Sequence, residues 1–171
     1  MKKLLLLLTL IVGMQSFAIA QKFAYVNTEY ILDKIPAYKT AEGQMEKLSQ
    51  QYQKEVEDLY QKVDDLYKSY QAEKVLLTDD MRQRRENDII VKEKDAKELQ
   101  RKHFGPEGTL SAKREELIKP IQDQVYTAIK SISDEGGYAI IFDTASNPSM
   151  IYTNPRYDLS DKVLEKLGYR N

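Results

Sequence analysis

The side chains that could do chemistry are few in this chain. It has one histidine, His103, and no cysteine. Two pairs of adjacent acids, Asp64-Asp65 and Asp79-Asp80, have the composition of a general acid–base couple. Such a couple must converge on one substrate, and neighbours on a helix point to different faces. Asp79 and Asp80 also follow Thr78, where acids favour the positive end of a new helix. His103 sits among charged residues beside a Gly-Pro break and reads as a solvated histidine. Asp143 and Asp158 read as turn and capping residues rather than ligands. The phosphate-binding loop, dinucleotide fingerprint, zinc-protease and serine-elbow patterns do not occur. The expectation is a protein with no catalytic residue, no metal and no cofactor.

Tyrosine is the more informative residue type: the chain has twelve and no tryptophan. Four of them, Tyr52, Tyr60, Tyr67 and Tyr70, fall in a segment of unusual character. Between Gly43 and Gly105 there are 61 residues without glycine or proline, and 27 of them are Asp, Glu, Lys or Arg. A stretch so rich in charge cannot be a compact core, but it can be a long solvated helix or helical pair. Amphipathic tyrosines along it would give many weak, adaptable contacts, which suit recognition of diverse chains.

The elements that position these residues follow from periodicity. Met45, Tyr52, Leu59 and Leu66 recur every seven residues, and Val56, Val63 and Tyr70 form the matching series. This a/d pattern describes a helix with a narrow apolar seam. All four, Tyr52, Tyr60, Tyr67 and Tyr70, are candidates for binding another chain; Tyr52 and Tyr70 also fit the seam itself, while Tyr60 and Tyr67 lie beside it. Leu76 to Asp80 reads as a reversal with Thr78 as the cap of a second helix. That helix runs to about Phe104 and carries Met81, Ile89, Ile90, Val91, Ala96 and Leu99. Gly105-Pro106-Glu107-Gly108 then breaks or offsets it. A third stripe, Leu110, Leu117, Ile121, Val125, Ala128 and Ile132, ends at Gly136-Gly137, with Pro120 expected to kink it.

Short apolar segments at the two ends can form a body. Residues 22–27 alternate as a strand, Phe23 and Tyr25 to one side, Ala24 and Val26 to the other. Thr28 is placed to cap a short helix that Pro36 interrupts or restarts. Tyr138–Asp143 reads as a second strand and 149–152 as a shorter third. A final helix is signalled by Ser160 as cap, Leu159 and Leu164 as a hydrophobic staple, and Gly168 as terminator. The fold class is α+β: a small β-barrel-type body, 21–36 and 117–171, with a helical-hairpin arm over about 37–116 that reverses near 76–80. Three strands bury little surface, and small cores are marginal. The body is therefore expected to be shared between subunits, with Phe23, Tyr25, Ile140, Phe142 and Ile151 at core or interface.

Residues 1–20 carry a short positive region, an apolar run and Ala18-Ile19-Ala20, the pattern of a secretory signal peptide cleaved after Ala20. Its removal leaves one domain, 21–171, with 24 basic and 27 acidic residues, a net charge of −3. That charge gives no basic footprint for nucleic acid.

The layout and the residues at both ends resemble the periplasmic chaperone family Skp, also called OmpH. The resemblance is carried by Phe23-Ala-Tyr-Val-Asn27, by Tyr30-Ile-Leu-Asp-Lys-Ile-Pro36 and by Ile118-Lys-Pro-Ile-Gln-Asp-Gln-Val125. It continues in Gly137-Tyr-Ala-Ile-Ile-Phe-Asp143, in Tyr152-Thr-Asn-Pro-Arg-Tyr-Asp-Leu-Ser-Asp-Lys-Val163 and in Leu167-Gly168. It implies a homotrimer with a barrel body and three hairpin tentacles that hold unfolded outer-membrane β-barrel proteins in the periplasm, using no nucleotide, metal or catalytic residue. The best-known members are strongly basic and this chain is not, which leaves contact with lipid or lipopolysaccharide open. The expected function is an ATP-independent holdase that prevents client aggregation. The alternative is an envelope coiled-coil adaptor joining folded partners, which would need a longer and tighter seam.

Overall fold

The computed structural model describes residues 21–146 and 149–169. The signal-peptide reading, including the Ala20 cleavage point, lies outside the described residues.

Two short strands run parallel at the centre of the body: β1 (Lys22–Val26) and β2 (Tyr138–Asp143). Their register pairs Phe23 with Ile140, Ala24 with Ile141 and Tyr25 with Phe142. Strand alternation sends Ala24 and Val26 inward, where both are buried, and leaves Phe23, Ile140 and Phe142 on the opposite, exposed face. Parallel strands need a long crossover. Here the crossover contains the whole arm.

Helix α1 (Thr28–Asp33) follows β1 directly. Its cap is Asn27, whose side chain accepts from the Tyr30 N–H at 2.9 Å, and not Thr28 as the sequence suggested. Thr28 instead gives its N–H and hydroxyl to the Asp143 carboxylate, at 3.1 and 2.8 Å. Asp143 also accepts from the Ala145 N–H and from the Ser146 hydroxyl. Burial alone would raise its carboxyl pKa, but these four hydrogen bonds outweigh it and hold the group below the usual aspartate value. The folded value lies below the unfolded one, so the stability it contributes is present above about pH 4 and is lost as pH falls through the lower folded value. Asp143→Ala is expected to cost about 1–3 kcal/mol at neutral pH. It should also flatten the acid limb of a stability-versus-pH curve measured by urea titration.

Pro36 restarts the chain as α2 (Pro36–Glu73), 38 residues long and so about 57 Å. A 3-10 turn over Lys74–Leu76 reverses it. Thr78 then caps α3 (Asp79–Phe104), its hydroxyl accepting from the Met81 N–H. The hairpin seam buries Val56, Val63 and Tyr70 of α2 against Ile89 and Ala96 of α3, and Leu77 closes its far end. Asp64–Lys68 and Glu93–Lys97 pair along the exposed faces.

The break after α3 is a tightly packed turn. A Cβ on Gly105 would lie 2.4 Å from the Arg101 carbonyl oxygen, and one on Gly108 would lie 2.8 Å from the His103 carbonyl oxygen. Both glycines have negative φ, near −66° and −76°, so close backbone approach and not handedness demands them. Gly108→Ala is expected to lower stability by about 1–3 kcal/mol in thermal or chemical denaturation.

Past this turn come α4 (Thr109–Leu117) and α5 (Lys119–Gly136). Pro120 lies in the first turn of α5, where its missing N–H costs nothing, so the expected kink is a break between two helices at Ile118. Gly137, with φ of 64°, ends α5 in the left-handed conformation that glycine tolerates. The stripe Val125, Ala128, Ile132 packs with Ala24, Val26, Ile31 and Ile35 into the body core.

Two readings near the C-terminus are corrected. Residues 149–152 form no strand; Ile151 is 98% exposed and Tyr152 is also open. Among the described residues it pairs with neither strand, and β1 has both of its edges engaged. One edge of β1 is held by β2, and the other is met by Asp158 and by Leu159, whose N–H donates to the Tyr25 carbonyl. A 3-10 turn, Pro155–Tyr157, delivers the chain there. Helix α6 (Ser160–Lys166) starts from Leu159, which has no capping side-chain bond, and Asp158 just before it accepts from the Ser160 N–H at 2.8 Å. Ser160 uses its own hydroxyl to accept from the Asn27 N–H, tying α6 to the end of β1. Leu159 and Leu164 are buried in the core. Two strands cannot close on themselves, so the described residues of one chain form no barrel.

Candidate functional site

Two surfaces could engage another molecule: the arm and the outer face of the sheet. Along the arm the four tyrosines separate into two pairs. Tyr70 is buried and donates its hydroxyl to Glu86 of α3. That hydrogen bond, assisted by burial, raises its phenol pKa above the ordinary value. Tyr52 is half-buried and stacks on His103 with ring centroids 3.7 Å apart. Tyr60 and Tyr67 stand outside the seam; Tyr60 donates to Gln100 at 3.1 Å and Tyr67 is 52% exposed.

Other exposed apolar side chains extend this surface. Ile90 and Val91 flank the buried Ile89 on α3, and Met81 lies near the tip. At the reversal, Val75 and Leu76 are almost fully exposed. The sequence named Ile90 and Val91 only as helix residues. Their adjacency to Ile89 was the signal, because three consecutive residues cannot all face one seam. The arm thus carries isolated apolar contacts spread over its length, separated by charged residues.

The sheet surface is more concentrated. Phe23, Ile140 and Phe142 are exposed there, and Tyr25 is half-buried beside them. Tyr152 and Tyr157 rim a depression of about 720 Å³ against this face. Ile151, grouped with these residues from the sequence, projects from coil.

His103 departs most from expectation. It is 6% exposed and not solvated. Its Nε2 lies 3.3 Å from Glu55 Oε2 but outside hydrogen-bonding alignment, so neither ring nitrogen has a hydrogen bond. The missed signal is its phase: Ile89, Ala96 and His103 are spaced by seven, which puts the histidine in the seam.

Among the described residues no three His, Cys, Asp or Glu side chains cluster to hold a metal ion, and no helix is long and apolar enough to cross a membrane.

Comparison with known proteins agrees with this architecture. A protein of Aquifex aeolicus (strain VF5), described only as uncharacterized, is 28% identical over 167 residues, covering 98% of this chain and 96% of that protein. The crystal structure of a candidate OmpH-like outer membrane chaperone from Caulobacter crescentus CB15 superposes with a TM-score of 0.62. It covers 86% of this chain and 83% of that one at 14% identity, a likeness of fold. The family profile described as outer membrane protein (OmpH-like) matches residues 22–167, and the chain belongs to the OmpH-like family.

Proposed function

We propose that the chain is an ATP-independent periplasmic holdase, a homotrimer whose arms surround unfolded outer-membrane β-barrel proteins and keep them from aggregating. A chaperone role is supported at the level of the family. The observation that carries the reading further is the distribution of exposed apolar residues on the arm. Tyr67, Val75, Leu76, Ile90 and Val91 are spread over both helices and the tip instead of forming one docking patch. An unfolded client offers short apolar segments in no fixed geometry, and dispersed weak contacts match that. The buried seam is short and partly polar, with His103 at one of its positions, which disfavours a rigid adaptor.

The body supplies the assembly. The outer face formed by Phe23, Tyr25, Ile140 and Phe142 is the surface proposed to meet the other subunits and complete a shared barrel. The reading is non-catalytic: release comes from competition with folding into the membrane. Contact with lipid or lipopolysaccharide remains outside the proposal, and nucleic acid is not a partner.

Photo-crosslinking from single arm positions to an unfolded outer-membrane β-barrel protein tests the distributed contact. Crosslinks are expected from positions 67, 76 and 90 alike, and Tyr67→Ala should weaken binding by no more than about threefold, as for one contact among many. Loss of binding by Tyr67→Ala in an intact assembly would overturn the dispersed-contact account.

A further inference from the structure

The buried histidine at the root of the arm has no part in client contact, yet three pieces of the chain meet on it. Its ring lies on Tyr52 of α2, with the two planes 13° apart. Its Nε2 faces Glu55 of α2. Its own carbonyl oxygen is the atom that would lie 2.8 Å from a Cβ on Gly108 of the following turn. The imidazole also lines a cleft of about 890 Å³ between the root of α2 and α4.

Charged side chains from several elements line the cleft beside the ring. On the α1–α2 side, Asp33, Lys39, Glu42 and Glu46 line the cleft, and α4 contributes Arg114. Lys39 is paired with Asp33 at 3.1 Å. That leaves Glu42, Glu46 and Glu55 against Arg114. On its own helix the cations Arg101 and Lys102 are exposed. His103 also occupies the last turn of α3, where the helix dipole favours positive charge. A protonated ring over tyrosine gains a further cation–π attraction. The neutral ring lacks the ion pair and the cation–π attraction.

We infer that His103 is a proton-operated latch at the arm root: protonated, it binds α3 to α2 through Glu55 and Tyr52, and neutral, it lets the turn after α3 loosen. The latch is a property of the folded arm. Its bearing on clients, by setting how readily the arm bends from the body, rests on the holdase reading.

Hydrogen exchange of the assembled protein without client tests it, at about pH 7.5 and about pH 5.5 with intrinsic rates corrected. Amides in 51–57 and 99–109 should become about fivefold more protected at the lower pH, as expected for a histidinium stabilised at a helix end. Amides in 62–70 and 86–93 serve as the internal reference. His103→Gln should abolish the difference. Glu55→Gln, at a half-exposed position, should abolish it with the imidazole still present, and provides the test if the first variant misfolds. Protection that is unchanged or lower at acid pH, or an equal gain in His103→Gln, would overturn the latch. An aggregation assay at both pH values separates the two proposals. Failure to hold clients at either pH with an intact proton response removes the holdase reading alone. Normal holding without the proton response removes the latch alone.

Discussion

Phe142→Lys is expected to convert the assembled protein to single chains while its helices persist. Phe142 is 39% exposed in the isolated chain and shares its face with Phe23 and Ile140. An aromatic side chain buried in an interface contributes about 1.5–3 kcal/mol, and several copies would meet in a closed assembly. A lysine at that position adds the cost of desolvating a charge, several kcal/mol per ion without a partner. Each copy of the assembly would carry the substitution, so the penalty multiplies. Sedimentation or light-scattering mass should fall to that of one chain, and far-UV circular dichroism should change little, because the long α2–α3 hairpin is remote from the sheet. An unchanged assembled mass would show that this face is not the interface.

Ile31→Ala should have the largest effect on the folding of the body. Ile31 is 0% exposed and sits in α1 within a cluster that includes Val26, Ile132 and Val163. Truncating such a residue removes transfer free energy and leaves a cavity, together about 2–5 kcal/mol. Small domains have only about 5–15 kcal/mol in total, so the body should unfold at much lower urea. The contrasting substitution is Leu76→Ala at the arm tip, where the side chain is 85% exposed. It should change stability by no more than about 0.5 kcal/mol. Equal destabilisation by the two would mean that the body core does not limit stability.

The parts of this fold that were legible in the sequence are those set by local chemistry. The heptad spacing of Val56, Val63 and Tyr70 located the arm seam, Thr78 its reversal, and Phe23–Val26 the alternation of β1. The illegible parts depend on contacts distant in the chain. Asn27 and not Thr28 caps α1, because Thr28 is engaged by Asp143, far away in sequence. The Ser160 hydroxyl is likewise taken by Asn27, so it caps nothing, and the Ser160 N–H is met by Asp158. Segment 149–152 has the composition of a strand, but a strand exists only through pairing with a neighbour distant in the chain, and composition does not report that pairing. The exposed Tyr60 and Tyr67 were separable from Tyr52 and Tyr70 by phase alone. His103 was open to the same argument and was missed because its charged neighbours in sequence suggested solvent, whereas burial is decided by the seven-residue step from Ala96.

As a proposed holdase, the arm keeps unfolded outer-membrane proteins from aggregating without an energy source. The most direct test is light scattering as a urea-unfolded outer-membrane β-barrel protein is diluted into buffer, with and without residues 21–171, in the absence of ATP. Aggregation should be suppressed at roughly one assembly per client, as expected for arms enclosing a single chain by many shared contacts. Unchanged aggregation in the presence of folded, assembled protein would contradict it.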